Sequence, residues 1–459
     1  MANRLRQFIF KKILIIAYHF PPSAAVGALR PQKFAKYLPE FGWEPHVLTI
    51  REEFAEKTDQ ERLADVKDID IVRTDFWRSP LRLVLEARAK WKNDRVKEKT
   101  TPQSPSEVSV CQTTKKTLSA LIKQFVWEIN TFPDAEAFWT FPAVAAGLRL
   151  IRRKHIQCVY ATVPEPTAAV IGYFLSLLTG ASLVVDFRDP WIGEQVRDEL
   201  CSETYKKLEA WLERLIITRS SKVICTNDNF LHILKNRYHD LPPEKFVTIT
   251  NGFDPEEIAA VPERALNARF VITYLGTFYL DRNPEKFIQA LKTGIDAGLF
   301  SAMDIEVRLI GQVETAGNLS IRNLVSRNSL DGVVRIIGQQ PHSVALQEMV
   351  ASDLLLLFAP NQPNQVPAKA FEYIGARRPV LALTEEGATA DLIRETKAGL
   401  VVRQDDPEGI LAALKDMLAL HQAKERPWYR GCDLAKFERR VLAGELAALL
   451  DDAIDNAEN

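Results

Sequence analysis

A lysine and a glutamate three positions apart, Lys369 and Glu372, are the residues of this chain best placed to act on a ligand. They stand in the run APNQPNQVPAKAFEYIGARRPVLAL, residues 359–383. An apolar strand, LLLLF at 354–358, leads into it, and a proline-rich loop follows. A helix is expected from near Pro367, because proline suits a first turn whose N–H groups lack helical partners anyway. Gly375 and Pro379 bound that helix, and VLAL opens the next strand. Residues three apart share one helix face. Helix N-termini gather unpaired N–H groups and partial positive charge, which makes this one a place for an anion. The lysine and the N–H groups would take phosphate and the carboxylate would take two ribose hydroxyls. That is chemistry for a nucleotide. The competing reading is a surface ion pair on an ordinary helix.

Other candidates lie elsewhere in the chain. DFRDPWIGE, residues 186–194, sets two carboxylates and an arginine at a strand end, where open α/β sheets bind ligands. It is either a site or a self-satisfied ion pair. Asp189 is its candidate for orienting or deprotonating a hydroxyl. Gly276 opens a polar loop between strand and helix that exposes N–H groups to phosphate, and Arg282 adds charge there. Gly27, in HFPPSAAVGALR, lets a ligand come close to the backbone or is a turn glycine. Its loop lacks G-x-G-x-x-G spacing, so dinucleotide binding is weakly supported. Asp68 and Asp70 imitate a D-x-D metal motif, but alternation with Ile69 and Ile71 makes them the polar face of a strand. The histidines are scattered and no cluster has metal-ligand spacing, so no metal is expected. Arg282, Lys369 and backbone N–H groups can do a metal's electrostatic work on phosphate.

Bulk properties narrow the class. A length of 459 residues points to two domains. The apolar fraction of 46% and charged fraction of 26% are those of a soluble globular protein. A formal charge of −1 gives no general drive toward nucleic acid. The five cysteines are odd in number, far apart and free of C-x-x-C, which points to a reducing compartment and away from zinc. The basic start holds a short apolar run interrupted by Lys11 and Lys12, with no small-residue cleavage site after it. It reads as a first strand, not a signal peptide.

The elements that carry these residues alternate. KKILIIAY, a helix bearing Phe34, Leu38 and Phe41, and a strand at 47–50 make a βαβ unit. KDIDIVRTD at 67–75 is a further strand. Residues 78–99 carry eight basic and three acidic residues around Leu81, Leu85, Ala89 and Trp91. They read as a basic amphipathic helix for an anionic membrane surface, or as a solvated helix. Residues 100–114 read as a polar insertion. A second apolar stripe at 118–129 completes a possible docking surface for a lipid-linked substrate. Residues 166–185 lack charge, but Gly180 divides them and Asp186 follows, so a buried helix and strand fit better than a membrane span. From 270 the pattern restarts with strands at 270–275, DIEVRLIG, VVRIIGQ and LLLLF between helices. Two α/β halves with parallel sheets follow from this alternation. Residues 428–459 read as helical.

The series HFPPSAAVGALR, DFRDPW, ITNGFDP, YLGTFYLDRNPEKFIQAL, VRIIGQQPHSVALQEMVASDLLLLF and VPAKAFEYIGARRPVLAL resembles the family-4 retaining glycosyltransferases of the GT-B fold. The nearest in look are bacterial enzymes that build polysaccharides on lipid carriers. The resemblance implies two Rossmann-like domains whose parallel sheets face a central cleft. It implies an acceptor-side domain at 1–258 with a helical insertion at about 78–130, a nucleotide-sugar domain at 259–427, and a C-terminal helix at 428–459 packing back on the first domain. It assigns Glu372 to the donor ribose, backbone near Gly338 to the base, and Gly27 to the donor phosphates. Asn364 stands where the family commonly has a glutamate eight positions before the ribose one. Thr277 stands where an arginine often follows Gly276. Arg282 takes the place of a loop lysine, and the DFRD run the place of a strand-end histidine. The expected activity is retaining, metal-independent transfer from a nucleotide sugar, most simply a UDP-sugar, to a lipid-linked or glycan hydroxyl, with no cofactor. The expected place is the cytoplasm or the inner face of the plasma membrane. A nucleotide-sugar epimerase of the same fold and an inactive nucleotide-binding scaffold are the alternatives.

Overall fold

The computed structural model describes residues 10–77, 124, 126–192, 201–262, 267–278 and 281–458. The basic helix expected at 78–99, the insertion at 100–114, most of the helix expected at 118–129 and Glu194 lie outside them. The chain forms two compact units. One comprises Met1–Ala35, Gly42–Val223 and Leu450–Asn459, the other Lys36–Phe41 and Ile224–Leu449.

Each sheet is doubly wound. The first has β1 (Lys11–Ile16), β2 (Trp43–Ile50), β3 (Asp70–Thr74), β4 (Cys158–Val163), β5 (Ser182–Phe187), β6 (Lys222–Cys225) and β7 (Phe246–Thr248), in the order β3-β2-β1-β4-β5-β6-β7. The neighbours from β3 to β5 run parallel. The chain then enters β8 (Phe270–Thr277) and β9 (Ile305–Gln312), followed by a short antiparallel pair, β10 (Thr315–Ala316) and β11 (Leu319–Ser320). It continues through β12 (Val334–Ile337), β13 (Leu354–Phe358), β14 (Val380–Leu383) and β15 (Gly399–Val402). The second sheet is β12-β9-β8-β13-β14-β15, parallel throughout. Growth of the first sheet reverses between β1 and β4, and of the second between β8 and β13.

Parallel strands covered on both faces are written as continuous apolar runs. Every residue of β13 is buried. Leu354 and Leu356 pack into one core cluster and Leu355 and Leu357 into another, because successive side chains leave opposite faces. The uncharged stretch after Glu165 is a helix, Pro166–Thr179, closed by Gly180 in the left-handed region at φ 77°. At 1.5 Å per residue it is about 21 Å long, too short to span a bilayer core of about 30 Å. Among the described residues no helix is long and apolar enough to cross a membrane.

Two expectations need correction. The stretch at 67–75 forms a strand only over Asp70–Thr74. Asp70 meets His46 Nδ1 at 3.1 Å and Lys154 Nζ at 2.9 Å, so its carboxylate is used within the unit. The last helix starts at Arg439, not near Trp428. Before it, Tyr429 and Gly431 take positive φ, and the Tyr429 hydroxyl donates to the Arg378 carbonyl at 2.7 Å. Backbone turned that way cannot continue a right-handed helix.

The DFRD run shows what fixes the middle of the first sheet. Asp186, fully buried, receives two hydrogen bonds from Arg30, at 2.7 and 3.0 Å, and one from the Tyr160 hydroxyl. Burial disfavours the Arg30 charge, and Asp186 more than restores it, so the guanidinium holds its proton more tightly than usual. This half of the run is a self-satisfied ion pair. Removing one partner strands a buried charge, so Asp186→Ala is expected to cost roughly 3–5 kcal/mol in urea denaturation. The double change Arg30→Met with Asp186→Leu is expected to cost less than Asp186→Ala alone. A double variant that loses more would show the pair to be irreplaceable by apolar packing.

Candidate functional site

The second unit builds its site where β8 and β13 part. They pair only at Ile272↔Leu354 and Thr273↔Leu355, so Leu275 has no partner peptide on that side. Buried backbone groups must find partners. Both come from the helix Ala368–Gly375. The Leu275 N–H donates to the Tyr373 hydroxyl at 3.1 Å, and Lys369 Nζ donates to the Leu275 carbonyl at 2.5 Å. Lys369 and Tyr373 are four apart and so lie one above the other on that helix. The ammonium also sits 4.7 Å from the centre of the Tyr274 ring. Tyr274 in turn donates from its hydroxyl to the Thr277 carbonyl at 2.9 Å and stacks on Phe278.

Gly276 makes room for this arrangement. A Cβ there would fall 1.8 Å from Lys369 Nζ, and φ is +153°. Gly311 on β9 is required for the same reason: its Cβ would fall 2.0 Å from the Gly276 carbonyl oxygen. Burial foremost, then the charge of Arg282, pulls the Lys369 ammonium down to about 7, against the opposite pull of Glu372. Lys369 and Glu372 form no ion pair, so the plainer reading of the two fails. Glu372 is half-buried, and among the described residues nothing hydrogen-bonds to its carboxylate.

The loop between β13 and the helix is tied down at several points. Buried Arg282 donates to Gln362 at 3.3 Å, the Pro363 carbonyl accepts from the Ala388 N–H at 2.8 Å, and the Gln365 carbonyl accepts from Thr389 at 2.9 Å. Asn364 offers its carbonyl to Asn227 at 2.9 Å. Gly276, Thr277, Arg282, Lys369 and Glu372 thus gather at the C-terminal ends of β8 and β13, with Asn364 on the adjoining loop. That end of a parallel sheet, at the point where strand order reverses, is where such folds bind ligands. Gly338 lies just past β12, two strands away, where a side chain would meet nothing within 4 Å. The arrangement offers two cations, helix N–H groups and one unengaged carboxylate to a ligand that carries both phosphate and hydroxyls.

Gly27 and Asp189 belong to the first unit. Arg188 donates to the Gly27 carbonyl, and a Cβ on Gly27 would lie 3.0 Å from that guanidinium. Its glycine identity therefore has a reason within the unit. Asp189 is exposed just after β5. Sequence reasoning missed Tyr373, Tyr274 and Gln362. Tyr373 was signalled by its four-residue spacing from Lys369; the other two depend on contacts no spacing encodes.

Residues 269–419 match the family model described as glycosyl transferases group 1. No curated protein matches the chain. Among solved structures it is similar to Anabaena Alr3699/HepE, in a structure with UDP and glucose, at 16% identity over 96% of this chain and 99% of that one, with a TM-score of 0.57. It is similar to WaaG, a glycosyltransferase involved in lipopolysaccharide biosynthesis, at 15% identity over 97% and 99%, with a TM-score of 0.51. The N-terminal domain of a Candida albicans trehalose-6-phosphate phosphatase also aligns, at 13% identity over 96% and 97%, with a TM-score of 0.61. At such identities these likenesses establish the GT-B fold, two α/β domains with parallel sheets, and the family match supports a glycosyl-transfer role.

Lys369 holds its proton less tightly folded than unfolded. Its contribution to stability is therefore complete above 10.5 and lost as pH falls through about 7. Lys369→Met also leaves the Leu275 carbonyl without its donor, so its stability relative to the unchanged protein is expected to be highest at about pH 6 and to fall toward about pH 10. Urea denaturation across that range checks it. A relative stability that rises with pH has the wrong sign for a lysine whose proton is held less tightly in the folded state.

Proposed function

We propose that this protein transfers a sugar from a nucleotide sugar, in the simplest case a UDP-sugar, to a hydroxyl of a lipid-linked or glycan acceptor. One observation carries the reading. A half-buried, unengaged carboxylate, Glu372, stands one turn from a lysine whose charge is poorly compensated, inside the stretch that matches the glycosyl transferase group 1 model. Unpaired opposite charges that do not pair with each other are ready for a ligand that satisfies both.

In this reading Glu372 accepts hydrogen bonds from two ribose hydroxyls. Lys369, Arg282 and the helix N–H groups bind the two phosphates and stabilise the charge that grows on the leaving nucleoside diphosphate. Gly276 and Thr277 let the phosphates approach the backbone, backbone near Gly338 meets the base, and Asn364 faces the sugar. Gly27 and Asp189 remain candidates for donor phosphate and acceptor contact. The cations replace a metal, transfer retains anomeric configuration, and residues 78–99 contact an anionic membrane. These points rest on the resemblance of the motifs and on residue types. Names of similar proteins lend support, because one was solved with UDP and glucose and another is involved in lipopolysaccharide biosynthesis.

Glu372→Ala is expected to weaken UDP binding by roughly 1.5–3 kcal/mol for each charge-assisted hydrogen bond lost, as measured by calorimetry. Unchanged affinity in a folded variant removes Glu372 from the site. A panel of nucleotide sugars with glycan and lipid-linked acceptors tests the reaction itself. The product anomer is read by NMR, with and without chelator. Retention that survives chelation is the expected result. An inverted product breaks the family resemblance, and loss of activity restored by magnesium overturns the reading of the phosphate site. Conversion of the donor without an acceptor identifies an epimerase.

A further inference from the structure

Three helices of the first unit lie side by side, and the middle one turns an apolar surface to the outside. That middle helix is Pro166–Thr179, which holds no charged residue. On one side it meets the helix Thr140–Lys154, so closely that a Cβ on Gly147 would fall 2.6 Å from Leu175. On the other side Arg219, which ends the helix Glu203–Arg219, donates to the Ser176 carbonyl at 3.1 Å. Gly172 of the middle helix faces the sheet, where a Cβ would touch Leu183 and Ala161. Phe174, Leu177 and Leu178, spaced i, i+3, i+4, leave from the opposite side and are 40%, 56% and 52% exposed. Leu208 and Trp211, three apart on the third helix, are 46% and 60% exposed.

Cations flank this surface. Arg149, Arg152 and Arg153 are exposed on the first helix, and among the described residues none of them meets a carboxylate. Lys207, Arg214 and Arg219 are exposed on the third. The third helix also holds three glutamates, but Glu209 and Glu213 are buried and only Glu203 is exposed. Six exposed cations against one exposed anion is a local excess, because the whole chain carries −1. Basic residues in a last turn also suit a helix C-terminus. That does not account for five large apolar side chains held in water beside them. An apolar patch with a polar rim marks an interaction surface. A second copy of this chain on the same face would press arginine against arginine, since a two-fold contact joins a patch to itself. An anionic bilayer answers both features. Its acyl chains take phenylalanine and leucine, its headgroup level suits the indole, and its phosphates attract the arginines.

We propose that the outer face of these three helices docks on an anionic membrane surface. This surface is separate from residues 78–99, and the proposal does not rest on the glycosyl-transfer reading above. Phe174, Leu177, Leu178 and Trp211 enter the interface, and the arginines of the first helix meet lipid phosphates. The contact is peripheral, with apolar area giving adhesion and charge setting the choice of lipid. Salt screens the second contribution and not the first, so the two can be told apart.

The test sediments the full chain with vesicles of phosphatidylcholine, alone or mixed in equal parts with phosphatidylglycerol. Binding is expected on the mixed vesicles and to fall as salt rises. One variant joins Leu177→Gln to Leu178→Gln; another joins Arg149→Gln, Arg152→Gln and Arg153→Gln. Each is expected to lower the bound fraction's partition constant about tenfold or more, with thermal melting unchanged because the replaced side chains are exposed. The arginine variant is expected to lose most of the salt dependence, and the leucine variant to keep it. Lipids brominated on their acyl chains are expected to quench the tryptophan fluorescence, and Trp211→Phe to remove much of that quenching. Full binding by both folded variants overturns the proposal. If binding is then lost on changing Arg82, Arg88, Lys90 and Lys92 to Ser, the membrane contact belongs to residues 78–99. No binding of the unchanged protein to either vesicle also overturns it. A dimer in the absence of lipid that the leucine variant dissociates assigns the face to a second copy and overturns it too. Binding by a protein that transfers no sugar leaves this proposal standing and counts against the function proposed above alone.

Discussion

The second unit depends on one peptide group left without a ladder partner. Adjacent parallel strands that part at their C-terminal ends expose an N–H and a C=O that would otherwise bond across the sheet. At Leu275 both are taken up by one helix, through Tyr373 and Lys369. A buried amide left unbonded costs about 1–3 kcal/mol, so the helix is held in place by more than its apolar face. The rest follows from where Lys369 must lie to reach that carbonyl. No side chain is tolerated at Gly276, the Tyr274 ring lies under the ammonium, and Gly311 must let β9 pass the Gly276 carbonyl. The lysine proposed above to meet the ligand thus already has a structural role.

The first sheet has its own point of reversal at β1 and β4, furnished with different residues. There side chains meet just past the strand ends. His19 reaches Glu165, and Arg188 reaches the carbonyls of Val163 and Gly27. Below them, Arg30, Tyr160 and Asp186 form a buried network inside the strands. The network is closed and its charges answer one another. The corner above it keeps partial exposure and an imidazole nitrogen directed away from its partner.

The fold was legible wherever burial on both faces forced continuous apolar runs. LLLLF became β13 residue for residue, and the uncharged stretch after Glu165 became a helix and a strand. It was less legible where contacts from distant residues decide. Trp428 and Tyr429 looked like part of the last helix, yet Tyr429 turns back to Arg378. DFRD looked like one unit, yet its first aspartate is buried on Arg30 and its last is exposed. Lys369 and Glu372 were placed on one face by spacing alone, but spacing could not show that the lysine would turn toward β8. His19 and Glu165 are more than a hundred residues apart. Only the reversal of strand order brings them together.

The separation of Lys369 from Glu372 is what distinguishes a site from a surface pair. Had they paired, each charge would be largely compensated, and a ligand would have to break that bond before making its own. Here the lysine is held by a neutral carbonyl and an aromatic ring. Burial has already lowered its hold on the proton to about 7, so no strong partner has to be displaced. In the reading proposed above, a phosphate at the helix N-terminus restores the charge the lysine has partly lost. Such an anion gains most in a site of low dielectric, where water competes little. Glu372, on the same face and one turn along, takes no part in the lysine's contacts, and in the same reading it meets hydroxyls. The two charges are kept apart because the lysine is drawn to β8 while the carboxylate is not, and that separation begins with the unpaired peptide of Leu275.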